Sequence, residues 1–416
     1  MIPSRNVISP LLVFLALLVV FELCVRLPYV IYAMDAPELG TDAIVHFFGL
    51  NTPSRVIWLG LSIVILATLA TFLAFGILGS FHRMPLSRPD FERVGWLIYP
   101  IGLMFLGVVV ASVLSLGVEA LAEDISGKRS EFGDRGMAWV MMRFAVFSHM
   151  IGAIFYIRMV QTGRMFDKAA FAISVLMVAV PAIVFSLRAT IISFTLEILY
   201  LQLLFGTFQF RRFLRLAAVM LPALIAISAL RPDAEFRSTF EAAMFGIEKA
   251  VQSRYFFDFA KIGTVMSWAE TQPWVGPIVF GFVLEPFLGD QIIYYKEIGP
   301  MIAEQVYLYR GLTGVTPGFL LESTLSFGVP LGILLFVVVM SLFLMIERRM
   351  LEARSPSLAG LLFRLLLVSK VSLLLNSSLG AFAFQLIVEG VMLFAVLGFL
   401  SLASGGLPNR LGAAIR

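Results

Sequence analysis

The stretch VIWLGLSIVILATLATFLAFGILG, residues 56–79, contains neither a charged side chain nor a proline. A helix that crosses a bilayer needs about 20 predominantly apolar residues, because the hydrocarbon core is about 30 Å thick. This run is long enough. Comparable runs occupy 9–31, 95–117, 138–158, 169–187, 190–208, 214–230, 323–346, 357–375 and 381–403. The pattern predicts about ten membrane-spanning helices. Over the 416 residues 60% are hydrophobic and 14% charged, against about 25% charged in a soluble domain. A water-soluble globular enzyme is excluded, and so is a disordered chain, because 39 Phe cannot remain solvated. A transmembrane barrel would need alternating strands of about 10 residues, which are absent. The run 9–31 is too long for a signal-peptide core and no small-residue cleavage site follows it, so it reads as a retained span. With no internal repeat and no low-complexity linker, residues 1–416 read as one all-α, polytopic integral membrane domain.

Lys and Arg set the orientation. With the N-terminus inside, the inner segments hold Arg5; Arg83, Arg88 and Arg93; Arg158, Arg164 and Lys168; Arg211, Arg212 and Arg215; Arg348, Arg349 and Arg354; and Arg410 and Arg416. The outer segment 32–54 carries Asp35, Glu38 and Asp42 instead. The expectation is therefore N-in, C-in. The net charge of +4 is mostly this topology signal. Its basic residues are dispersed over separate loops, so nucleic acid is not an expected partner. One Cys (Cys24) and three separated His (His46, His82, His149) leave no basis for a disulfide framework or a metal cluster, and no cofactor is implied. Residues 231–322 form the longest stretch between spans. It is rich in aromatics (Tyr255, Phe256, Phe257, Trp268, Trp274), which favour the interface, and it is expected to lie on the outer surface as amphipathic helices.

Several charges fall at membrane depth, where each costs roughly 2.5–3.5 kcal/mol. Glu22 and Arg26 are four apart on one helix face and can pair. Lone mid-span His149 reads as a hydrogen-bonded packing residue rather than a ligand. Glu197 lies well inside its span, and Lys370 and Glu389 read as a structural pair between adjacent helices. Arg143 sits where it can snorkel. Arg188, at an outer helix junction, has two readings of equal weight: a snorkelling boundary residue, or a clamp whose planar fork binds phosphate oxygens. A wider set of outer basic residues, including Lys128, Arg129, Arg135, Arg231, Arg237, Lys249, Arg254, Lys261, Lys296 and Arg310, suggests a poly-anionic ligand such as a lipid pyrophosphate. The outer acids balance them in number, so charge alone leaves both readings open.

The segment GVTPGFLLESTLSFGVPLG (314–332) enters the eighth span with small residues, a turn and one carboxylate, Glu322. It resembles the Thr-Pro…Gly-Glu…Asn-Phe-Gly stretch of bacterial oligosaccharide repeat-unit polymerases, the Wzy-type O-antigen polymerase family. SLRAT (186–190) is similar to that family's Ser-x-Arg element, SRYFFDFA (253–260) to its Arg-bearing outer-loop helix, and GKRSEF (127–132) to an Arg-rich segment after an early span. The resemblance covers roughly residues 120–340. It departs from the family at Leu321, where Gly is common, and at Ser326, where Asn is usual. The related ligases use a His in the large outer loop, and this chain has no His between 150 and 416.

The resemblance implies a GT-C-like architecture in the bacterial inner membrane, with 231–322 as a periplasmic loop. It implies transfer of a growing glycan from undecaprenyl pyrophosphate to a sugar hydroxyl of the next lipid-linked repeat unit. Donor and acceptor would both be undecaprenyl-pyrophosphate-linked oligosaccharides, and a chain-length regulator protein would be a further partner. Glu322, Arg188 and Arg254 would be the catalytic residues; Arg129, Arg135, Arg310, Thr316 and Tyr255 would hold pyrophosphate and glycan. Cations would stabilise charge growing on the leaving pyrophosphate, and Glu322 would take the hydroxyl proton. An equal alternative has Glu322 bonded to Thr316 or neutralising an Arg. No nucleotide is needed, since the donor is already activated, and no metal site is implied. A ligase-type transferase and a lipid-linked glycan transporter are the competing classes; against the transporter, the sequence shows no inverted repeat, and the unusual charges gather on one face rather than at the midplane.

Overall fold

The computed structural model describes residues 4–35, 51–78, 81–85, 94–116, 137–184, 188–209, 258–271, 276–280, 299–307, 317–353 and 356–402. In chain order they form β1 (Ser4–Ile8), α1 (Pro10–Phe21), a π-helical segment Glu22–Arg26, α2 (Leu27–Asp35), α3 (Pro53–Leu78), β2 (Phe81–Pro85), α4 (Ile98–Leu116) and α5 (Met137–Thr162). There follow α6 (Met165–Val184), α7 (Arg188–Leu204), α8 (Phe259–Ala269), the short turns Ile278–Phe280 and Ile302–Val306, α9 (Phe319–Leu351), α10 (Leu358–Ser369), α11 (Val371–Asn376) and α12 (Leu379–Leu402). The protein is mostly helical, and among the described residues six helical stretches are long and apolar enough to cross a membrane: Pro10–Tyr32, Pro53–Gly76, Val140–Thr162, Phe319–Leu351, Leu358–Asn376 and Leu379–Ser401. Shorter apolar helices run over Ile98–Leu114 and Thr190–Leu204. The expected spans other than 214–230 all fall on helices; 214–230 lies outside the described residues.

Capping side chains start several of these helices. Ser9 accepts the Leu12 amide at 3.3 Å with Pro10 behind it, Asp258 accepts the Lys261 amide at 2.9 Å, and Ser357 accepts the Gly360 amide at 3.1 Å. Each satisfies a backbone donor that the first helical turn leaves free. The helix α5 is central. Its apolar window is 78% buried, against 22% for α12, and it packs on α4, α6 and α7. Large apolar side chains on the outward faces, Leu73, Leu103, Leu114 and Val391 among them, are exposed. That inversion suits a bundle solvated by lipid.

Two features were not visible in the all-α expectation. β1 and β2 pair antiparallel, Ser4 opposite Pro85 and Ile8 opposite Phe81. The pair ties the start of the chain to the segment after α3, so α1–α2 and α3 run in opposite directions. Arg5 donates to the Leu203 carbonyl at 3.2 Å, the Arg83 amide to Glu352 at 3.4 Å, and Tyr156 and Thr207 meet at 3.1 Å. Basic residues from four of the expected inner segments therefore share one end of the bundle, called here the β end. The second feature lies in the small part of 231–322 that is described. In that stretch α8 does not lie on a surface as an amphipathic helix: residues 259–267 are all buried. It crosses α3 where Gly60 faces Gly263. A Cβ on Gly60 would lie 1.8 Å from the Phe259 carbonyl oxygen, and one on Gly263 2.0 Å from that of Val56. Such close backbone approach is the usual role of small residues where helices pack without a hydrophobic driving force.

At the β end, Arg158 and Asp167 lock the tight α5–α6 connection at 2.8 Å. Asp167 also accepts from Tyr99 and Thr162, and the Arg158 guanidinium lies 4.8 Å from the Tyr99 ring centroid. Burial works against the Asp167 charge, but the hydrogen bonds from Thr162, Tyr99 and Arg158 hold its carboxyl below the ordinary carboxylate range.

Gly60→Val is expected to lower stability in detergent by about 1–3 kcal/mol or more, the cost of overpacking, while Gly76→Ala, with nothing within 4 Å of its Cβ, leaves the unfolding curve in place. The Asp167 carboxyl, with a lowered folded value, contributes stability above the ordinary carboxylate range that is lost as pH falls through the folded value. A plot of stability against pH for Asp167→Asn should accordingly be flatter than wild type on the acid side and lower at neutral pH.

Candidate functional site

Glu322 stands in the first turn of α9, and the backbone around it explains how it is held. Gly318 adopts φ 74°, the left-handed region that favours glycine, and its carbonyl accepts the Glu322 amide at 3.0 Å. Farther on, Gly328 (φ 76°) and Pro330 break α9. The two arms fold onto one another so closely that a Cβ on Gly332 would lie 2.5 Å from the Thr324 Cα. The short arm, residues 319–326, is buried throughout.

The Glu322 carboxylate is aimed at the start of α12. Its Oε2 accepts the Leu379 amide at 2.7 Å, and the neighbouring Ser378 hydroxyl accepts the Ala381 amide at 3.1 Å. Free amides and the positive end of the helix dipole favour an anion there. The other oxygen, Oε1, is buried with no hydrogen-bond partner among the described residues. One turn on, Ser326 donates to the Glu322 carbonyl at 2.8 Å and accepts the Val279 amide at 3.0 Å. That bond pins the turn Ile278–Phe280 over the same arm. Ser323 and Thr324 spend their hydroxyls on the carbonyls of Leu320 and Leu321. The site is thus a buried carboxylate with one oxygen fixed and one without a partner among the described residues, framed by α9, α12 and the 278–280 turn.

Of the eight expected site residues, Glu322 is the one whose side chain is described. Arg188 opens α7, but its side chain lies outside the described residues, as do Arg129, Arg135, Arg254, Tyr255, Arg310 and Thr316. The expected contact of Glu322 with Thr316 or an Arg falls on those same positions. The Leu379 amide was not anticipated; Glu322 and Leu379 are 57 residues apart, and the Ser377–Ser378 pair before α12 was its one signal.

Three further clusters of buried charge lie elsewhere in the bundle. At the far end from the strands, Arg26 pairs with Glu22 at 3.5 Å, as the spacing predicts, and more closely with Asp258 at 2.8 Å. All three are buried, and the π-helical turn Glu22–Arg26 carries two of them. At the β end, Glu347 receives the Ser9 hydroxyl, the Leu11 amide at 3.0 Å, the Tyr200 hydroxyl at 2.5 Å and His82 Nε2 at 2.9 Å. At the middle of the bundle, His149 Nδ1 lies 2.7 Å from Glu197 Oε1 and Nε2 lies 3.1 Å from Glu389 Oε2. Lys370 Nζ reaches Glu389 Oε1 at 2.7 Å, and Gln385 donates to the same oxygen at 2.8 Å. The expected Lys370–Glu389 pair is present. The sequence argument that unusual charges avoid the midplane is corrected here: His149 in 137–162, Glu197 in 188–204 and Glu389 in 379–402 each stand within two residues of their helix midpoints. Arg143 lies 5.6 Å from the centroid of the Phe384 ring on α12. Among the described residues no group of His, Cys, Asp and Glu is arranged to hold a metal ion.

Removing one member of a buried ion pair strands the other at a cost of about 3–5 kcal/mol. Asp258→Asn should lower stability in detergent unfolding by that order, and Arg55→Met, whose exposed partner is Glu270, by less than about 1 kcal/mol. No family model, curated protein or solved structure matches the chain.

Proposed function

We propose that the chain is a polysaccharide polymerase of the repeat-unit type, a glycosyltransferase that spans the bacterial inner membrane about ten times with both termini inside. In this reading the β end, with its Arg residues, faces the cytosol, and Glu322, at the opposite end, faces the periplasm. The growing glycan moves from undecaprenyl pyrophosphate to a sugar hydroxyl of the next lipid-linked unit. The acceptor O–H loses its proton, the sugar–phosphate bond breaks, and the lipid pyrophosphate departs with the bonding pair.

The observation that supports this best is the state of Glu322. Its Oε2 is held by the Leu379 amide while its buried Oε1 has no partner among the described residues. An oriented carboxylate with one free oxygen is equipped to accept a hydroxyl proton. It also stands in the stretch 314–332 on which the family resemblance rests. Arg188 and Arg254 are assigned to the leaving pyrophosphate, with Arg129, Arg135, Arg310, Thr316 and Tyr255 along the glycan and diphosphate. A ligase-type transferase with an outer-loop His fits less well, because the described histidines, His82 and His149, both sit against buried glutamates. A second reading, transport of a lipid-linked glycan, draws support from the charge cluster at the helix midpoints, since charges at that depth commonly mark transport pathways.

Glycan profiles of a deletion strain decide between these. A polymerase defect leaves single capped repeat units, a ligase defect leaves long chains on the carrier, and a transport defect leaves unpolymerised units on the cytosolic side. Glu322→Gln, Arg188→Ala and Arg254→Ala should each collapse the ladder toward single units, with a drop in transfer rate for Glu322→Gln of about 10²–10⁴-fold. Wild-type ladders in all three strains would remove this site assignment.

A further inference from the structure

The cluster around His149 is built differently from an ordinary buried ion pair. Both ring nitrogens stand close to carboxylate oxygens: Nε2 hydrogen-bonds Glu389 Oε2 at 3.1 Å, and Nδ1 lies 2.7 Å from Glu197 Oε1 without the alignment of a hydrogen bond. A neutral imidazole carries one N–H and cannot donate on both sides. The two contacts are satisfied together when the ring holds two protons, or when one carboxyl holds the second. With Lys370 as the other cation, two carboxylates, one ammonium and one extra proton sum to zero charge. The cluster therefore has room for one proton shared among His149, Glu197 and Glu389. Among the described residues, α4 has no ionisable group but Tyr99, the charged residues of α6, Asp167 and Lys168, lie in its first turn with Asp167 held by Arg158, and Arg143 of α5 lies over the Phe384 ring of α12. Lys370 itself occupies a one-residue break between α10 and α11, where the Ser369 carbonyl is met by Ser193 of α7 at 3.2 Å.

The second observation lies along α7. Tyr200 follows Glu197 by one turn, on the same helix face. Both Glu197 carboxylate oxygens are buried with no hydrogen-bond partner among the described residues, Oε1 having only its close approach to His149. Tyr200 donates to Glu347 Oε1 at 2.5 Å, and Glu347 Oε2 meets His82 Nε2 at 2.9 Å. His82 stands on β2, at the end of the bundle, and its Nδ1 also has no partner among the described residues. Two chains of titratable groups thus meet on one helix face: Glu389–His149–Glu197, and Tyr200–Glu347–His82.

We propose that these six residues form a proton relay joining a proton site at the centre of the bundle to its β end. In the relay, the His149 Nδ1–H bond breaks as an O–H bond forms on Glu197. Glu197 passes that proton through one bridging water to the Tyr200 oxygen while Tyr200 gives its own to Glu347, so no phenolate is left. The Glu347 carboxyl then turns to bring the new O–H from the Oε1 position to His82, that bond breaks as an N–H bond forms at Nε2, and His82 sheds the proton on its Nδ1 at the β end. Each step moves one proton and no other reactant. The relay rests on neither the polymerase nor the transport reading.

Nitrogen-15 NMR on the full chain in lipid nanodiscs, with labelled histidine, tests it. The His149 signal is assigned by its loss in His149→Gln. The relay predicts a His149 ring N–H that exchanges with deuterated water in the wild type and exchanges at least tenfold more slowly in both Tyr200→Phe and His82→Gln. The latter two cut the path at separate points, and the retained His149 signal reports that each is folded. Ring protons that do not exchange in the wild type would make the cluster a static brace and overturn the proposal. An unchanged exchange rate in both variants would overturn it as well, since the proton would then reach His149 by another way.

Discussion

A charge carried into an apolar bundle must be met inside it, because a carboxylate or guanidinium stranded there costs several kcal/mol. That constraint organises the molecule. Arg26 brings α8 to the end of the first span through Asp258. Glu347 collects the start of α1, β2 and α7 at the other end. His149, Glu197, Glu389 and Lys370 join α5, α7, α12 and the α10–α11 break at the centre. Lipid-facing Leu and Phe say that a helix is immersed; they do not say which helix is its neighbour. The buried charges do, since each admits few partners and fixes both depth and rotation.

Glu322 obeys the same constraint by a different means. No cation is seen against it among the described residues; a helix start receives it instead. A backbone amide and the end of a helix dipole offer weaker compensation than a full positive charge, and they engage one oxygen. The remaining oxygen is what gives the residue its chemical interest, and the glycines at 318 and 328 let the chain turn sharply enough to place it there.

What the sequence makes legible follows from range. Apolar runs are local and additive, so the helices from 9–31 to 381–403 could be read directly, apart from 214–230, which lies outside the described residues. Pairs within one helix or between successive helices were equally legible: Glu22 and Arg26 announce themselves by their spacing, and Lys370 and Glu389 by facing from adjacent helices. Partners from distant segments leave no such trace. Nothing near Asp258 points to Arg26, and nothing near Glu347 points to His82 or Ser9. The strand pair was hidden because five-residue strands beside long spans carry too little pattern to compete with them. The placement of α8 was missed because its aromatic flank resembles an interface, whereas Gly60 and Gly263 give it room to enter the bundle. For the site, the carboxylate was legible from its stretch of sequence and its backbone partner was not.

The gathering of segments on Glu347 also imposes an order on how the molecule is made. Ser9, His82 and Tyr200 leave the ribosome well before residue 347, and at about 5–20 residues per second the wait after His82 is roughly 13–50 s. Throughout that interval three hydrogen-bonding groups destined for the bundle interior have no carboxylate to receive them. The early helices must therefore be held apart, or kept hydrated at that end, until α9 arrives, and the bundle closes there from the C-terminal side of the chain.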